Sequence, residues 1–330
     1  MIISRTPYRI SLFGGGSDYP SWSSISGKKG SVLGFAINKY SYISLRYSPL
    51  FFKYKYRISY SKTEFVNQLN KIHHPAVRNI IKEMKIKQGL EIQHHGDLPA
   101  RTGVGSSSSF SVGLINSLYA LKNKKISKNK LASTAIHIEQ NVIKENVGSQ
   151  DQVWASYGGF NRIDFYKKNK FKVKNLIINQ HKIDKLLNNF ILIYTGISRY
   201  SDDLAKNIIQ NLNSNIKNIS MMIDIVNEAE NILINKNKGI DEIGELLDHY
   251  WKIKKKLSNT ITLDKIEDIY NKAKKAGAIG GKLLGAGSGG FMLLYVNQKN
   301  KSKVYEKLNK LIKIDIQVDL KGSTILHNIL

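Results

Sequence analysis

Three glycine-rich segments and a few charged residues carry the chemistry open to this 330-residue chain. The central segment, Leu98-Pro99-Ala100-Arg101-Thr102-Gly103-Val104-Gly105-Ser106-Ser107-Ser108-Ser109, lies between a strand-like run at 90–94 and an apolar-periodic run at 110–121. Glycines let a backbone turn its N–H groups toward a ligand. Serines that open a helix cap it and offer hydroxyls to a phosphate or a metal. The segment therefore reads as an anion cradle, with a Ser-capped helix after a flexible turn as the plainer alternative. Near the N-terminus an alternating strand with Arg9 runs into Gly14-Gly15-Gly16 and Asp18. Near the other end, Lys282 to Phe291 holds Gly285, Gly287 and Gly290. Their spacing satisfies G-x-G-x-x-G, but a dinucleotide site needs a helix after the glycines, and here a strand-like run, Met292 to Val296, follows. A glycine turn between strands is the better reading, and no Walker A loop is present.

Composition removes several classes of chemistry. The absence of cysteine excludes disulfides, thiolate catalysis and cysteine metal sites. The histidine pairs His73-His74 and His94-His95 are expected to diverge on strands, and no H-E-x-x-H occurs, so a zinc site is not expected. The formal charge of +26 is spread through lysine-, asparagine- and isoleucine-rich helices. We read it as a compositional bias that gives modest attraction for anionic substrates. A nucleic-acid partner is not expected, because no aromatic-and-basic stripe is evident and Tyr40, Tyr42, Tyr54 and Tyr56 have the spacing of sheet packing. No apolar run approaches the roughly 18 residues of a membrane span. The chain also enters strand-like sequence without an apolar leader. These features lead us to expect a cytoplasmic protein without a membrane partner.

In order and spacing the three segments resemble the three motifs of the GHMP kinase superfamily, Pro99 to Ser107 matching the second with Val104 in place of the usual Leu. Thr195-Gly196-Ile197-Ser198-Arg199, Gly148-Ser149-Gln150-Asp151-Gln152 and the Gly14–Gly16 triplet look most like the D-glycero-D-manno-heptose 7-phosphate kinases. The resemblance implies phosphoryl transfer from ATP with Mg²⁺. Gly103, Val104, Gly105, Ser106, Ser107 and Ser108 would cradle the nucleotide, and Ser106 and Glu139 would hold the metal. Asp151 would take or orient the acceptor proton, with Arg9 lowering its pKa and stabilising transition-state charge.

Gly14, Gly15, Gly16, Asp18, Arg199, Gly285 and Gly287 would meet a sugar phosphate. Gly15 and Gly16 stand where galactokinases carry Glu and His, which removes a repulsion and offers backbone N–H groups as an anion nest. Asp18 would bind sugar hydroxyls. Arg199 is the first choice for the substrate phosphate, with Arg101 and Lys282 behind it. Another sugar-1-kinase, acting on fucose or galactose, and a non-catalytic sugar-and-nucleotide sensor are the competing readings.

These residues need elements to position them. Alternation predicts strands at 2–13, 32–47 and 51–60, short helices at 63–71 and 76–85, and a strand at 90–94. Helices at 106–121 and 127–144 follow, with strands at 159–166 and 170–178 after a break at 146–151. Beyond a boundary near 180 the pattern is a strand at 190–194 and helices at 200–213, 215–235, 239–257 and 264–276. Strand, glycine turn, strand, a helix at 300–312, and strands at 314–319 and 323–328 complete it. The expectation is an α+β fold with domains at 1–180 and 181–330. The resemblance implies a first domain like the second domain of ribosomal protein S5 and a ferredoxin-like second domain.

Overall fold

The computed structural model describes residues 1–197, 201–258 and 261–328. The strands are β1 (Ile2–Phe13), β2 (Gly30–Tyr47), β3 (Tyr56–Ser59), β4 (Thr63–Val66), β5 (Leu90–Gly96), β6 (Phe160–Tyr166), β7 (Lys170–Asn175), β8 (Phe190–Tyr194), β9 (Ala278–Leu283), β10 (Phe291–Val296), β11 (Ile312–Ile314) and β12 (Thr324–Asn328). The helices are α1 (Pro20–Ile25), α2 (Pro75–Glu83), α3 (Ser106–Leu121), α4 (Lys128–His137), α5 (Gln150–Tyr157), α6 (Gln180–Asn189), α7 (Ser201–Gln210), α8 (Ile216–Ile234), α9 (Glu242–Lys255), α10 (Asp264–Lys275) and α11 (Gln298–Lys307). Among the described residues no helix is long and apolar enough to cross a membrane.

The first sheet has the order β12-β1-β2-β5-β3-β4, with β6 and β7 branching from β2. The 18 residues of β2 explain the branching, since its first part pairs with β6 and its last with β5 while β1 runs along its other edge. The second sheet, β11-β8-β10-β9, is antiparallel throughout. Sheet membership changes between Asn175 and Phe190, yet β12 returns to pair with β1. One core is shared by both sheets, packing Tyr8, Ile10 and Phe13 of β1 with Leu283, Leu284, Phe291 and the helices above them. A second core lies under α2, α3 and β5.

The helix expected at 63–71 is instead β4 followed by a 3₁₀ turn at Leu69–Lys71. Its pattern misleads because Glu64 points inward and Phe65 outward. The Glu64 carboxylate accepts from the Tyr60 hydroxyl and from the N–H groups of His73 and His74. That pair therefore lies in the turn before α2, which His74 caps, and not on a strand. The strand expected at 51–60 is reduced to Tyr56–Ser59. The strand at 314–319 ends at Ile314, leaving one isolated bridge at Val318. The helix at 127–144 becomes π-helical over Ile138–Ile143, and α1, α5 and α6 were not expected.

Candidate active site

Residues distant in sequence meet where β1, the N-termini of α3 and α5, and the β9–β10 turn converge. Arg9 leaves β1 and grips Asp151 of α5 two-pronged, Nε to Oδ1 at 2.7 Å and Nη2 to Oδ2 at 2.8 Å. Such paired, charge-assisted bonds fix orientation as well as charge. The remaining guanidinium nitrogen donates to the Gly103 carbonyl at 2.6 Å, and the Arg9 N–H donates to the Val104 carbonyl at 3.0 Å. The cradle is thus tied directly to the arginine and the aspartate. Gly105 completes the junction, because a Cβ there would lie 3.3 Å from both Arg9 and Asp151.

Gly103, Val104 and Gly105 precede Ser106, Ser107 and Ser108, which form the first turn of α3. The first N–H groups of a helix lack intrahelical partners, so this turn presents donors and a partial positive charge. Gly103 has φ +79° and lies so close to the β9–β10 turn that a Cβ would come within 2.6 Å of the Leu284 carbonyl. Gly285 packs back on Gly103, and Gly287 packs on Ile261. Two of the three glycine segments are therefore in mutual contact, and glycine is needed at their seam.

Glu139 sits in the π-helical turn, 1% exposed. Its Oε2 accepts from the Ser108 hydroxyl at 2.9 Å and from the Gln152 side-chain amide. Its Oε1 has no hydrogen-bond partner among the described residues. Burial pushes the carboxyl up to about 7. A buried carboxylate with an unused oxygen suits a divalent cation, which would supply the missing charge. Ser106, expected beside Glu139, instead accepts the Arg101 N–H at 3.3 Å, and Ser108 is the serine that touches the carboxylate.

Asp18 is buried and accepts from the N–H groups of Gly16 at 3.0 Å and Gln150 at 3.3 Å. Burial, and then the nearby Asp151, raise its pKa. The Gly16 N–H is thus given to Asp18, which corrects the expectation that it is offered to an anion. Gly16 still borders open space, whereas a Cβ on Gly15 would touch Gln150, Tyr250 and Ser11 at 3.6 to 3.8 Å. Gly14 is different, since its Cβ would strike the Ser31 carbonyl.

Lys282 is 2% exposed and donates to the Ser11 and Leu12 carbonyls at 2.9 Å each, so it is spent inside the fold and does not face a substrate phosphate. Burial and then the cations Lys254 and Arg9 hold its pKa well below the usual lysine range. Arg101 stands exposed on the cradle. Arg199 lies outside the described residues; Ile197 accepts the Gly290 N–H of the third glycine turn at 2.7 Å.

Sequence reasoning passed over Lys254 of α9. Its ammonium donates to the carbonyls of Leu283 at 3.0 Å and Gly285 at 2.6 Å. Gln150, named within the 148–152 segment without a role, accepts from Ser11 at 2.7 Å and helps hold the β1 end against α5. The signal for Lys254 was its place on the apolar face of α9, at the spacing that buries Leu247, Tyr250 and Trp251.

Residues 70–159 match the N-terminal domain of the GHMP kinases and residues 230–314 match their C-terminal domain. A D-glycero-alpha-D-manno-heptose 7-phosphate kinase of Campylobacter jejuni is 28% identical over 324 residues, spanning 94% of this chain and 93% of the relative. A bifunctional fucokinase/GDP-fucose pyrophosphorylase of Arabidopsis thaliana is 23% identical over 73% of this chain, which spans 23% of that longer protein. The crystal structure of a D-glycero-D-manno-heptose 1-phosphate kinase from Bacteroides thetaiotaomicron superposes with a TM-score of 0.80 at 21% identity, covering 99% of both chains. The chain belongs to the GHMP kinases, with their two-domain α+β fold. It is a sugar kinase, a phosphotransferase that uses ATP as phosphate donor and an alcohol group as acceptor.

Proposed function

We propose that this kinase phosphorylates the anomeric hydroxyl of D-glycero-D-manno-heptose 7-phosphate, giving the 1,7-bisphosphate for nucleotide-activated heptose synthesis in the cytoplasm. The observation that carries the reading is the Arg9–Asp151 pair, set between the α3 N-terminus and the loop of Asp18 and Gly16, where Gly16 borders open space. No carboxylate or imidazole precedes Asp18 in that loop, so a phosphorylated sugar meets less repulsion there. Similarity to the Campylobacter heptose 7-phosphate kinase over nearly its whole length favours the same acceptor. The division at 1–180 and 181–330 would give the first part the ATP and catalytic motifs and the second the β9–β10 turn.

In this reading the triphosphate lies on the Gly103–Ser108 cradle at the α3 N-terminus. Asp18 orients the sugar and Asp151 receives the proton of the acceptor hydroxyl. The acceptor oxygen forms its bond to the γ-phosphorus as the bond to the bridging oxygen breaks, and that electron pair leaves with ADP. Arg9 holds Asp151 in place and offsets negative charge that grows during transfer. Glu139, with the hydroxyls of Ser106 and Ser108, is the group that would hold Mg²⁺, which when bound neutralises phosphate charge.

ADP release with Mg-ATP tests the proposal against D-glycero-D-manno-heptose 7-phosphate, mannose 6-phosphate, galactose, fucose, mevalonate and homoserine. Turnover confined to the heptose phosphate is expected. Preference for a free sugar would discard the phosphate-acceptor argument, and no turnover on any compound would favour the sensor reading.

A further inference from the structure

The edge of the first sheet carries a surface that phosphoryl transfer does not use. Leu50 is 102% and Phe51 83% exposed in the connection from β2 to β3, and Phe65 on β4 is 57% exposed. Isolated apolar side chains are ordinary on a protein surface, but Phe51 and Phe65 belong to a continuous aromatic row that Leu50 adjoins in sequence. Ring centroids are 4.9 Å apart for Phe51 and Phe52, 5.1 Å for Phe52 and Tyr54, and 5.0 Å for Tyr54 and Phe65. The exposed cations Arg46, Lys53, Lys55, Arg57 and Lys62 lie on the same strands and turns. Arg57 stands over the Phe65 ring at 5.9 Å. Glu91 answers part of this charge, meeting Arg46 at 2.6 Å and Arg57 at 3.9 Å, while Glu64 is turned into the fold.

We propose that this patch docks the chain on the surface of an anionic phospholipid bilayer. Leu50 and Phe51 enter the boundary between headgroups and acyl chains, and the surrounding lysines and arginines meet lipid phosphates. Charge complementarity selects this occupant, because an excess of cations flanks these exposed apolar side chains, the pattern of a peripheral membrane contact. A second copy of the chain would bring like charges face to face. A nucleic acid would need ring faces for its bases, whereas Leu50, the most exposed apolar side chain of the patch, has no π-face. The contact is peripheral and reversible, weakening as salt screens the charges. It adds a membrane surface to a chain for which the sequence indicated no membrane partner.

The experiment is sedimentation of the full chain with vesicles of phosphatidylcholine containing one-third phosphatidylglycerol, beside vesicles of phosphatidylcholine alone. Binding to the anionic vesicles should be at least about tenfold stronger and should be released by molar salt. The variants L50S/F51S and K53E/K55E should each lower it by about tenfold or more while heptose-phosphate or other sugar turnover stays unchanged. All four positions are exposed, and circular dichroism checks that the fold is kept. Equal binding by wild type and both variants, or no preference for anionic vesicles, overturns the proposal. So does a wild-type dimer that L50S/F51S dissociates, which would make the patch a contact between copies, or tighter capture of a single-stranded oligonucleotide than of the vesicles.

Discussion

Asp151 has two tasks that one substitution separates. Its carboxylate accepts two charge-assisted bonds from Arg9 and, in the proposed reaction, the proton of the acceptor. An amide can accept neither the proton nor both guanidinium bonds. Asp151→Asn should therefore lower kcat by about a thousandfold, within the range for loss of a positioned base, while the Kd for ATP shifts less than about threefold. Steady-state kinetics beside nucleotide titration checks this, and full turnover would remove Asp151 from the role. Glu139 makes a different demand, because its buried Oε1 has no hydrogen-bond partner of good geometry among the described residues, although the Ser111 hydroxyl lies beside the carboxyl. Glu139→Gln should abolish the gain in nucleotide affinity that magnesium confers, a loss of about tenfold or more, and leave metal-free nucleotide binding intact. Calorimetry with and without the metal reads both quantities; an undiminished magnesium effect would place the metal elsewhere.

At the scale of elements, the cradle works because two loops are pressed together. Gly103 combines a left-handed backbone with a gap too small for a Cβ, whereas Gly16 has φ +100° and open space. Gly103→Ala should cost about 3 kcal/mol in urea unfolding and weaken ATP binding. Gly16→Ala should cost about 1 kcal/mol, from conformation alone. The reverse order would remove loop contact as the reason for glycine at 103. The same elements show what local sequence can disclose. The α3 helix starts and ends as read, at Ser106 and Leu121, because glycines precede it and its apolar run is unbroken. The π-helical turn that carries Glu139 was not legible, and neither were the bonds that Glu139 receives from Ser108 and Gln152 on other elements. α5 is only eight residues and follows Gly148, so it was read as a break, although it carries Asp151.

For the whole molecule, two buried ammonium groups join parts of the fold. Lys282 ties β9 of the second sheet to β1 of the first, and Lys254 ties α9 to the β9–β10 turn. Burial, and then nearby Arg9, push Lys254 down to about 7. Above that pH the folded chain has released a proton that the unfolded chain still holds up to the ordinary lysine range, so this group's contribution to stability rises with pH across the window. The difference in Tm between wild type and Lys254→Met should grow in favour of wild type from about pH 7 to about pH 10. The methionine also strands two carbonyls, so the slope is the test and not the offset. Parallel curves would show that Lys254 does not titrate in that range.

Short-range chemistry was readable from the chain alone: glycines where the backbone must turn left-handed, a strand of alternating residues that delivers Arg9, and a serine-led helix behind the cradle. Their joint order identified the kinase family, because three phosphate-handling loops on one chain constrain the reaction more than any one does. Tertiary structure alone decided which partners meet. It placed Asp18 near enough to Asp151 to share its electrostatics, gave Ser108 to Glu139, spent Lys282 on backbone carbonyls and left Leu50 and Phe51 outside. The physical reason is range. Backbone preference acts over a few neighbouring residues, whereas burial and pairing join groups such as Arg9 and Asp151, 142 positions apart, and are settled only when the sheets and helices pack.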